Sequence, residues 1–241
     1  MGVLPLKQLI DIHSHILPGV DDGCQSEEEA LDMLKLYEEQ GVEAVICTPH
    51  FGPCGLPWAN VDEAYRKLAS TPTSVKLYLG NEILFTQDIV KDVRHRLART
   101  LAGSKYILVE FEEWLYSTSA ASILRCMSWL SKSEFTPILA HPERYRSMQN
   151  NPWYYSRIKD TGTLLQVNAY DIEDNKDPNV RVIAKYLLRN RMVSYIGSDA
   201  HGAHRRSPQV QNGIKWIYDH LPEDYADAVV HDNAAKIIGG A

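Results

Sequence analysis

Two histidines spaced two residues apart, at the end of an apolar segment, constrain this chain more than any other feature. His13 and His15 follow the apolar residues Leu9, Ile10 and Ile12. Because side chains two apart in an extended strand lie on the same face, both imidazoles point the same way. Pro18–Gly19 then turns the chain, so that Asp21 can return to the same place. The pattern predicts a chelating pair at a strand end; the alternative is a strand that carries two surface histidines.

Six further short apolar segments follow, and helical patterns separate them. The predicted strands after the first are 44–47, 75–79, 106–109, 137–140, 164–167 and 193–196. Helices are predicted from the Ser26 cap to Gly41, from Asn60, over 89–97 and 119–132, from Pro152, and over 180–188, 208–219 and 223–238. Short apolar strands that alternate with helices indicate an α/β protein with a parallel sheet.

A closed barrel is favoured over an open sheet because polar residues follow nearly every strand. The loops after the strands of a closed barrel share one site. A doubly wound sheet would call for a glycine-rich first turn, and none is present. The sequence therefore predicts a TIM-like barrel of seven strands.

Composition narrows the range of functions. The chain has 241 residues and shows no linker or low-complexity run, which predicts a single domain over 1–241. Its net charge of −6 disfavours a nucleic-acid partner, which requires a basic face. No segment has the signature of a signal peptide or a membrane span, and the four cysteines form no Cys-x-x-Cys pair. A cytoplasmic protein with reduced thiols is expected.

The polar residues at the strand ends form a candidate metal site. They are His13, His15, Asp21, His50, Glu82, Glu110, His141, Asp199 and His201. Four carboxylates at one mouth repel each other unless cations lie between them. Imidazole and carboxylate ligands suit Mn²⁺, Fe²⁺, Zn²⁺ or Co²⁺, and nine ligands exceed what one ion uses, so two or three ions are predicted. The remaining histidines, His95, His204, His220 and His231, are interpreted as solvated or structural.

The motifs as a set resemble one family. They are DIHSHILPGVDDG, TPH ending at His50, GNEI around Glu82, LVE ending at Glu110, AHPERY from Ala140 and GSDAH ending at His201. In this order, over about residues 9–206, they resemble the bacterial protein-tyrosine phosphatases of the PHP (polymerase and histidinol phosphatase) superfamily, CpsB/CapC type.

The resemblance implies a distorted seven-stranded (β/α)7 barrel, the PHP fold, with three metals, usually manganese. The first metal would be held by His13, His15, Glu82 and Asp199, the second by Glu82, Glu110 and His141, and the third by Asp21, His50 and His201. Arg144 and Arg206 match two arginines of the family's site. The resemblance also implies a phosphotyrosine substrate on the tail of a bacterial tyrosine autokinase that controls capsule or exopolysaccharide synthesis.

The expected chemistry is metal-dependent hydrolysis of a phosphate ester, with Arg144 and Arg206 neutralising the phosphoryl oxygens. A cysteine mechanism is excluded because no cysteine is followed six positions later by arginine. Aromatic residues after the strands predict a rim that favours a phenolic ester; they are Phe51, Trp58, Phe111, Trp114, Tyr116 and Tyr145. The main alternative is a PHP phosphatase for a small metabolite such as histidinol phosphate. A metal-dependent amidohydrolase would need a strand-end lysine, and a non-catalytic barrel would have no reason to keep nine ligands together. The oligomeric state stays open.

Overall fold

The structure is a computed structural model, and it describes residues 7–52, 59–111 and 119–239. Three of the predicted rim aromatics, Trp58, Trp114 and Tyr116, lie outside the described residues.

Nine strands make up the sheet in the described part of the chain. They are Ile10–Ser14 (β1), Ala44–Cys47 (β2), His50–Phe51 (β3), Lys76–Leu79 (β4), Glu82–Leu84 (β5), Tyr106–Glu110 (β6), Thr136–Ala140 (β7), Leu164–Asn168 (β8) and Tyr195–Gly197 (β9). Every recorded strand pair is parallel, as the short apolar segments predicted.

The strands run in two adjoining sets, β1-β2-β4 and β3-β5-β6-β7-β8-β9. The short strands β3 and β5 continue β2 and β4 after brief interruptions, so the nine strands occupy seven positions around the sheet. Backbone bonds join the last position to the first: Asp199 N donates to His13 O, and His15 N donates to Ala200 O, both at 2.8 Å. The prediction of a seven-stranded barrel is confirmed. Two of the seven strand positions are interrupted, one between β2 and β3 and the other between β4 and β5.

The break between β4 and β5 falls at Gly80–Asn81. A Cβ at Gly80 would lie 2.9 Å from a Leu101 methyl carbon, so the chain passes too close to its neighbour for a side chain. The buried Asn81 side chain donates to Pro49 O at 2.8 Å and accepts from Arg99 N at 2.9 Å. These bonds replace strand pairing at the break and place Glu82 at the start of the next strand.

Helices cover the outside of the sheet. They are Glu27–Glu39 (α1), Ala59–Ala69 (α2), Ile89–Arg94 (α3), Ala120–Leu130 (α4), Arg146–Gln149 (α5), Trp153–Asp160 (α6), Ala169–Glu173 (α7), Pro178–Arg189 (α8), Gln211–His220 (α9), Glu223–Asp227 (α10) and Asn233–Ile238 (α11). Short 3₁₀ turns occupy Leu101–Gly103 and Pro142–Arg144, and a π-helical turn, Ala228–Asp232, joins α10 to α11.

Local sequence explains where two of these helices begin and end. Ser26 is the N-cap of α1, and its side chain accepts from Glu29 N, as the Ser-x-x-Glu pattern predicted. The helix predicted over 89–97 is shorter than expected and ends at Arg94. Arg96 has a φ of 58°, which is the left-handed conformation that terminates a helix.

The strands bury apolar side chains on both faces. One face packs under the helices, and the other forms a small cluster that the last helix closes. That cluster includes Ile10, Ile12, Ala44, Ile46, Leu108, Ile138, Ala140, Tyr195, Ala234 and Ile237. The register of β1 against β2 shifts between Asp11 and Ser14. Such a shift re-aims side chains at the end of a strand.

We predict that Gly213→Ala destabilises the fold. Alanine normally gains roughly 1 kcal/mol over glycine inside a helix. Here a Cβ on α9 would lie 2.3 Å from the backbone oxygen of Ala169 in α7. Relieving that clash separates two packed helices, so we expect a net loss of about 1–3 kcal/mol in the free energy of unfolding.

Urea unfolding of Gly213→Ala and of Gln211→Ala provides the measurement. Gln211 is exposed two residues earlier on the same helix and serves as the matched control. Equal stability of the two variants would show that α7 and α9 tolerate a wider spacing.

Candidate metal centre

The candidate ligands meet because parallel strands present their carboxyl ends at one edge of the barrel. β1 carries His13 and is followed directly by His15, β3 begins with His50, β5 begins with Glu82, and β6 ends with Glu110. Of the remaining predicted ligands, Asp21 lies in the turn after β1, His141 directly follows β7, and Asp199 and His201 lie in the loop after β9.

Glu82 lies at the centre of this group and is almost completely buried. Its Oε2 atom is 3.1 Å from His15 Nε2, 3.2 Å from His13 Nε2 and 3.3 Å from His50 Nδ1. Its Oε1 atom is 3.0 Å from His141 Nε2. One carboxylate therefore faces four imidazoles, which is the arrangement expected of a bridging ligand.

The ligand atoms form four overlapping groups, each within 4.8 Å. They are His13, His15 and Asp199; His13, Glu82 and His141; His50, Glu82 and Glu110; and His15, Asp22, His50 and His201. Eight of the nine predicted ligands contribute an atom. The exception is Asp21, and its neighbour Asp22 contributes in its place.

Asp21 and Asp22 have different environments. Asp21 is buried; its Oδ2 atom accepts from His15 Nδ1 at 2.7 Å and from His50 N at 2.9 Å. Asp22 is largely exposed, and its Oδ1 atom lies 3.3 Å from His50 Nε2 and 3.6 Å from His201 Nε2. The sequence predicted Asp21 as a metal ligand. In the structure its carboxylate instead contacts Nδ1 of His15, the ring nitrogen that faces away from the other ligands. A doublet Asp-Asp in a turn gives no signal that distinguishes the two.

His13 is oriented by a buried amide. Its Nδ1 atom lies 3.0 Å from Gln166 Oε1, while the Gln166 amide donates to Asn168 Oδ1 at 2.7 Å. Since an amide oxygen only accepts, Nδ1 of His13 carries a proton and Nε2 is the nitrogen that faces the cleft. Sequence reasoning missed Gln166; a glutamine inside an apolar strand is the signal that marks it.

Two further histidines are held in the same way. His15 Nδ1 is paired with the Asp21 carboxylate, and His201 Nδ1 lies 3.0 Å from the backbone oxygen of Asp199. Both partners accept, so both rings direct Nε2 inward. Metal-binding histidines in proteins are oriented in this manner, through the nitrogen that does not bind the metal.

Two buried ring nitrogens make no hydrogen bond within the described residues, Nδ1 of His50 and Nδ1 of His141. A buried nitrogen without a hydrogen bond costs free energy unless something else satisfies it. For His50, whose Nδ1 lies 3.0 Å from Glu110 Oε1, a divalent cation between the two atoms would do so. The residues present therefore fit a metal centre of nitrogen and oxygen ligands.

Burial raises the pKa of both central carboxyls, but neighbouring cations outweigh it. The His13 imidazole holds the pKa of Glu82 well below its usual range. Arg206 and His13 do the same for Asp199. Both carboxylates are therefore charged at neutral pH although neither contacts bulk water.

The imidazoles shift in opposite directions. Burial lowers the pKa of His15, but the Asp21 charge raises it to about 9 overall. Burial likewise opposes protonation of His50, yet bonds led by Asp22 raise its pKa to about 12. For His201, burial and the nearby His15 lower the pKa to about 3. Crowded imidazoles thus cannot all be protonated together, and divalent ions would supply positive charge without that conflict.

Arg144 and Arg206 converge on the other oxygen of Asp199. Arg144 Nη1 lies 2.6 Å and Arg206 Nη2 lies 2.5 Å from Asp199 Oδ2. Arg144 also forms a forked bond to the buried Asp171, with Nε at 2.6 Å and Nη2 at 3.2 Å. Asp171 was not predicted as a site residue, because an aspartate in the short helix after β8 would ordinarily be expected at the surface.

Three site residues have left-handed backbones. The φ angles are 32° for His141, 55° for Asp199 and 50° for Arg206. Such angles are uncommon for residues other than glycine, and they persist only where the surroundings enforce them. They re-aim these side chains into the cleft immediately after β7 and β9.

A cavity of about 240 Å³, here called the metal cleft, opens over these residues. It is lined by His50, Glu82, Glu110, Phe111, His141, Arg144, Tyr145, Asp199, His201 and Arg206. Phe111 and Tyr145 are the predicted rim aromatics that reach it. Phe51, by contrast, packs partly buried against the apolar core.

Comparison with known proteins identifies the family. Residues 9–239 match the profile of the family described as "Capsular polysaccharide synthesis, CpsB/CapC". This chain belongs to the CpsB/CapC family. The match covers the whole barrel and every candidate site residue.

Named relatives and solved structures agree with this assignment. The chain is 30% identical to tyrosine-protein phosphatase CpsB of Streptococcus pneumoniae, over 95% of this chain and 98% of the relative. It is 25% identical to tyrosine-protein phosphatase YwqE of Bacillus subtilis, over 86% of this chain and 82% of the relative. A further comparison is with a crystal structure from the work on YwqE and S. pneumoniae CpsB. That work describes the two proteins as unique metal-dependent tyrosine phosphatases. The structure superposes on this chain with a TM-score of 0.86. It covers 96% of this chain and 94% of that one, at 24% identity, and shows that the fold is shared.

The barrel fold is also shared with a more distant protein of known structure. D-hydantoinase from a Thermus species superposes with a TM-score of 0.62 at 10% identity, over 95% of this chain and 70% of that one. At that identity the likeness concerns the fold alone. Among the described residues, no helix is both long and apolar enough to cross a lipid bilayer.

We predict that Glu82→Ala lowers the amount of metal that the protein binds. The substitution removes both carboxylate oxygens that face the four imidazoles, and ligand loss weakens a metal site more than loss of an orienting residue. Elemental analysis after dialysis against Mn²⁺ gives the measurement. Glu39→Ala, the same substitution at an exposed position on α1 away from the cleft, is the control, and equal metal content in both variants would contradict the bridging role.

Proposed function

We propose that this chain is a metal-dependent protein-tyrosine phosphatase. The observation that carries the proposal is the position of two arginines directly beside four overlapping groups of metal-ligand atoms. The arginines on one side of the cleft and metal ions on the other would both attract a phosphate ester, because the phosphoryl oxygens carry negative charge throughout hydrolysis. The names of the relatives support phosphotyrosine as the ester.

We further propose two to three divalent ions, with manganese as the native metal. The oxygen and nitrogen ligands, without thiolate in the described groups, support this choice over a structural zinc site. The proposed sets are His13, His15, Glu82 and Asp199; Glu82, Glu110 and His141; and Asp22, His50 and His201. Asp22 replaces Asp21 in the third set, and we assign Asp21 the role of orienting His15.

When bound, the ions would make a water molecule a competent nucleophile at neutral pH and stabilise phosphoryl charge. The chain's own residues supply the rest. Arg144 and Arg206 donate to the phosphoryl oxygens, and Asp171 fixes the plane of the Arg144 guanidinium. Phe111 and Tyr145 border the cleft where a phenyl ring would lie. A phenolate leaving group has a pKa of about 10, so expulsion of the ring oxygen requires no general acid.

The alternative from the sequence, a phosphatase for a small metabolite such as histidinol phosphate, would use the same ligands. The relatives are named as tyrosine-protein phosphatases and do not favour it. The aromatic border of the cleft also suits a flat ring better than an alkyl ester.

We propose that the chain acts as one phosphatase domain over residues 1–241 and that its substrate is the phosphotyrosine tail of a bacterial tyrosine autokinase. Membership of a family described by capsular polysaccharide synthesis supports this partner. A cytoplasmic location is proposed on the basis of Cys24 and Cys47, which are buried and unpaired thiols.

Substrate comparison tests the proposed function. With Mn²⁺ present, kcat/KM for a phosphotyrosine peptide should exceed that for the matched phosphoserine peptide by on the order of 10²-fold, because phenolate leaves more easily and its ring packs on the aromatic border. Histidinol phosphate should also be a poor substrate. A chelator should abolish all three activities, and added Mn²⁺ should restore them.

A clear preference for histidinol phosphate would move the chain to the metabolic alternative. Full activity after the metal is removed, verified by elemental analysis, would refute the metal-dependent mechanism altogether.

We predict that Asp171→Asn lowers kcat by about tenfold without loss of metal, because an amide accepts only one of the two Arg144 bonds and the guanidinium loses its fixed orientation. Arg144→Ala and the double variant complete the cycle. If Asp171 acts through Arg144, the double variant should be no slower than Arg144→Ala alone. Multiplied losses would assign Asp171 a separate, structural role.

A further inference from the structure

A second cavity, of about 430 Å³, lies beside the metal cleft and is here called the flanking cavity. It shares three residues with the cleft: Arg144, Asp199 and Arg206. Its other lining residues are Tyr170, Asn175, Ser198, His204, Ser207 and Gln209. The two cavities therefore adjoin at the arginine pair.

The flanking cavity is polar, and two of its acceptors are already engaged. No aliphatic side chain is among the residues that line it. Asp199 Oδ2 accepts from Arg144, Arg206 and the amide of Asn168. The Ser198 hydroxyl is 2.8 Å from the Tyr37 hydroxyl and 3.2 Å from His13 O. An apolar ligand would gain little contact here, and the one carboxylate that lines the cavity already has its Oδ2 atom neutralised by two arginines.

Donors, by contrast, remain available. A guanidinium has five N–H donors, and Arg206 directs one nitrogen at Asp199 while its side chain is 37% exposed. Arg144 uses three nitrogens on Asp171 and Asp199. His204 lies exposed on the same turn as Arg206. A cavity with available guanidinium donors and a neutralised carboxylate suits an anion.

We propose that the flanking cavity binds an acidic side chain next to the phosphotyrosine, so that this enzyme prefers tyrosines in an acidic sequence. The inference rests on the proposed function and specifies its substrate class. The metal cleft, at about 240 Å³, has room for the phosphoryl group and ring but not for the peptide on either side. Neighbouring residues of a peptide are 3.8 Å apart at Cα, so a side chain one or two positions from the tyrosine reaches the adjoining cavity.

Matched phosphopeptides provide the first measurement. Three peptides differ only at the two positions on each side of the phosphotyrosine, which carry aspartate, asparagine or lysine. With Mn²⁺-loaded wild-type protein, kcat/KM should fall in the order aspartate, asparagine, lysine. We expect about fivefold between aspartate and asparagine, mainly in KM, since a partly exposed charge pair is modest in strength. The difference should shrink at high salt.

Two variants locate the effect. His204→Glu and Gln209→Glu each place a negative charge at the edge of the flanking cavity, and neither residue contacts a proposed metal ligand in the described structure. Both should lower the aspartate-to-asparagine ratio toward one or below and improve the lysine peptide. His95→Glu is the matched control: His95 is equally exposed, but it follows α3 and lines neither cavity. It should leave the ratio unchanged.

Hydrolysis of p-nitrophenyl phosphate, which has no flanking residues, separates this inference from the proposed function. Normal turnover of that ester together with equal kcat/KM for the aspartate and asparagine peptides would overturn the flanking site. So would ratios that change equally in the His204 and His95 variants. Failure of the wild-type protein to hydrolyse any aryl phosphate would instead refute the proposed function.

Discussion

The site depends on one buried carboxylate, Glu82, which is surrounded by imidazoles and has no contact with bulk water. A charge in that position is stable only when positive charge lies close to it. Imidazoles of β1, of β3 and of the loop after β7 provide the surrounding nitrogens, and the other ring nitrogens of His13 and His15 are bonded to Gln166 and Asp21. The fold therefore holds a set of ligands that divalent ions would neutralise more completely than protons.

Much of the fold could be predicted from the pattern of apolar residues along the chain. The seven apolar segments predicted strands because buried parallel strands need apolar side chains on both faces. The interruption at Gly80–Asn81 was not predicted, since it depends on how closely Leu101 approaches Gly80 in three dimensions. The early end of α3 at Arg94 was not predicted either, since apolar residues continue to Leu97 and the residue type of Arg96 does not mark its left-handed conformation.

The candidate site was predictable where ligands directly follow strands, because the strand direction fixes where each side chain lies. Asp22 was not predictable, since two consecutive aspartates in a turn differ only by a backbone rotation. Gln166 and Asp171 were not predicted as site residues for another reason. Each orients a neighbouring side chain, His13 or Arg144, so its role is evident only when the position of that neighbour is known. Sequence patterns thus reveal groups that meet at strand ends better than groups that orient them.

The shortest strand in the barrel sets the strictest condition on chain length. β3 has only two residues, and it pairs His50 with Glu82 and Phe51 with Ile83. A slip of one residue would exchange the two faces, directing His50 toward the core and a phenyl ring into the ligand groups. An inserted or deleted residue between Thr48 and His50 would therefore leave most of the barrel paired while removing His50 from the third proposed metal set and from its contact with Glu82. A protein so altered would fold and be soluble, yet its loss of function would look like a catalytic defect and not a folding one.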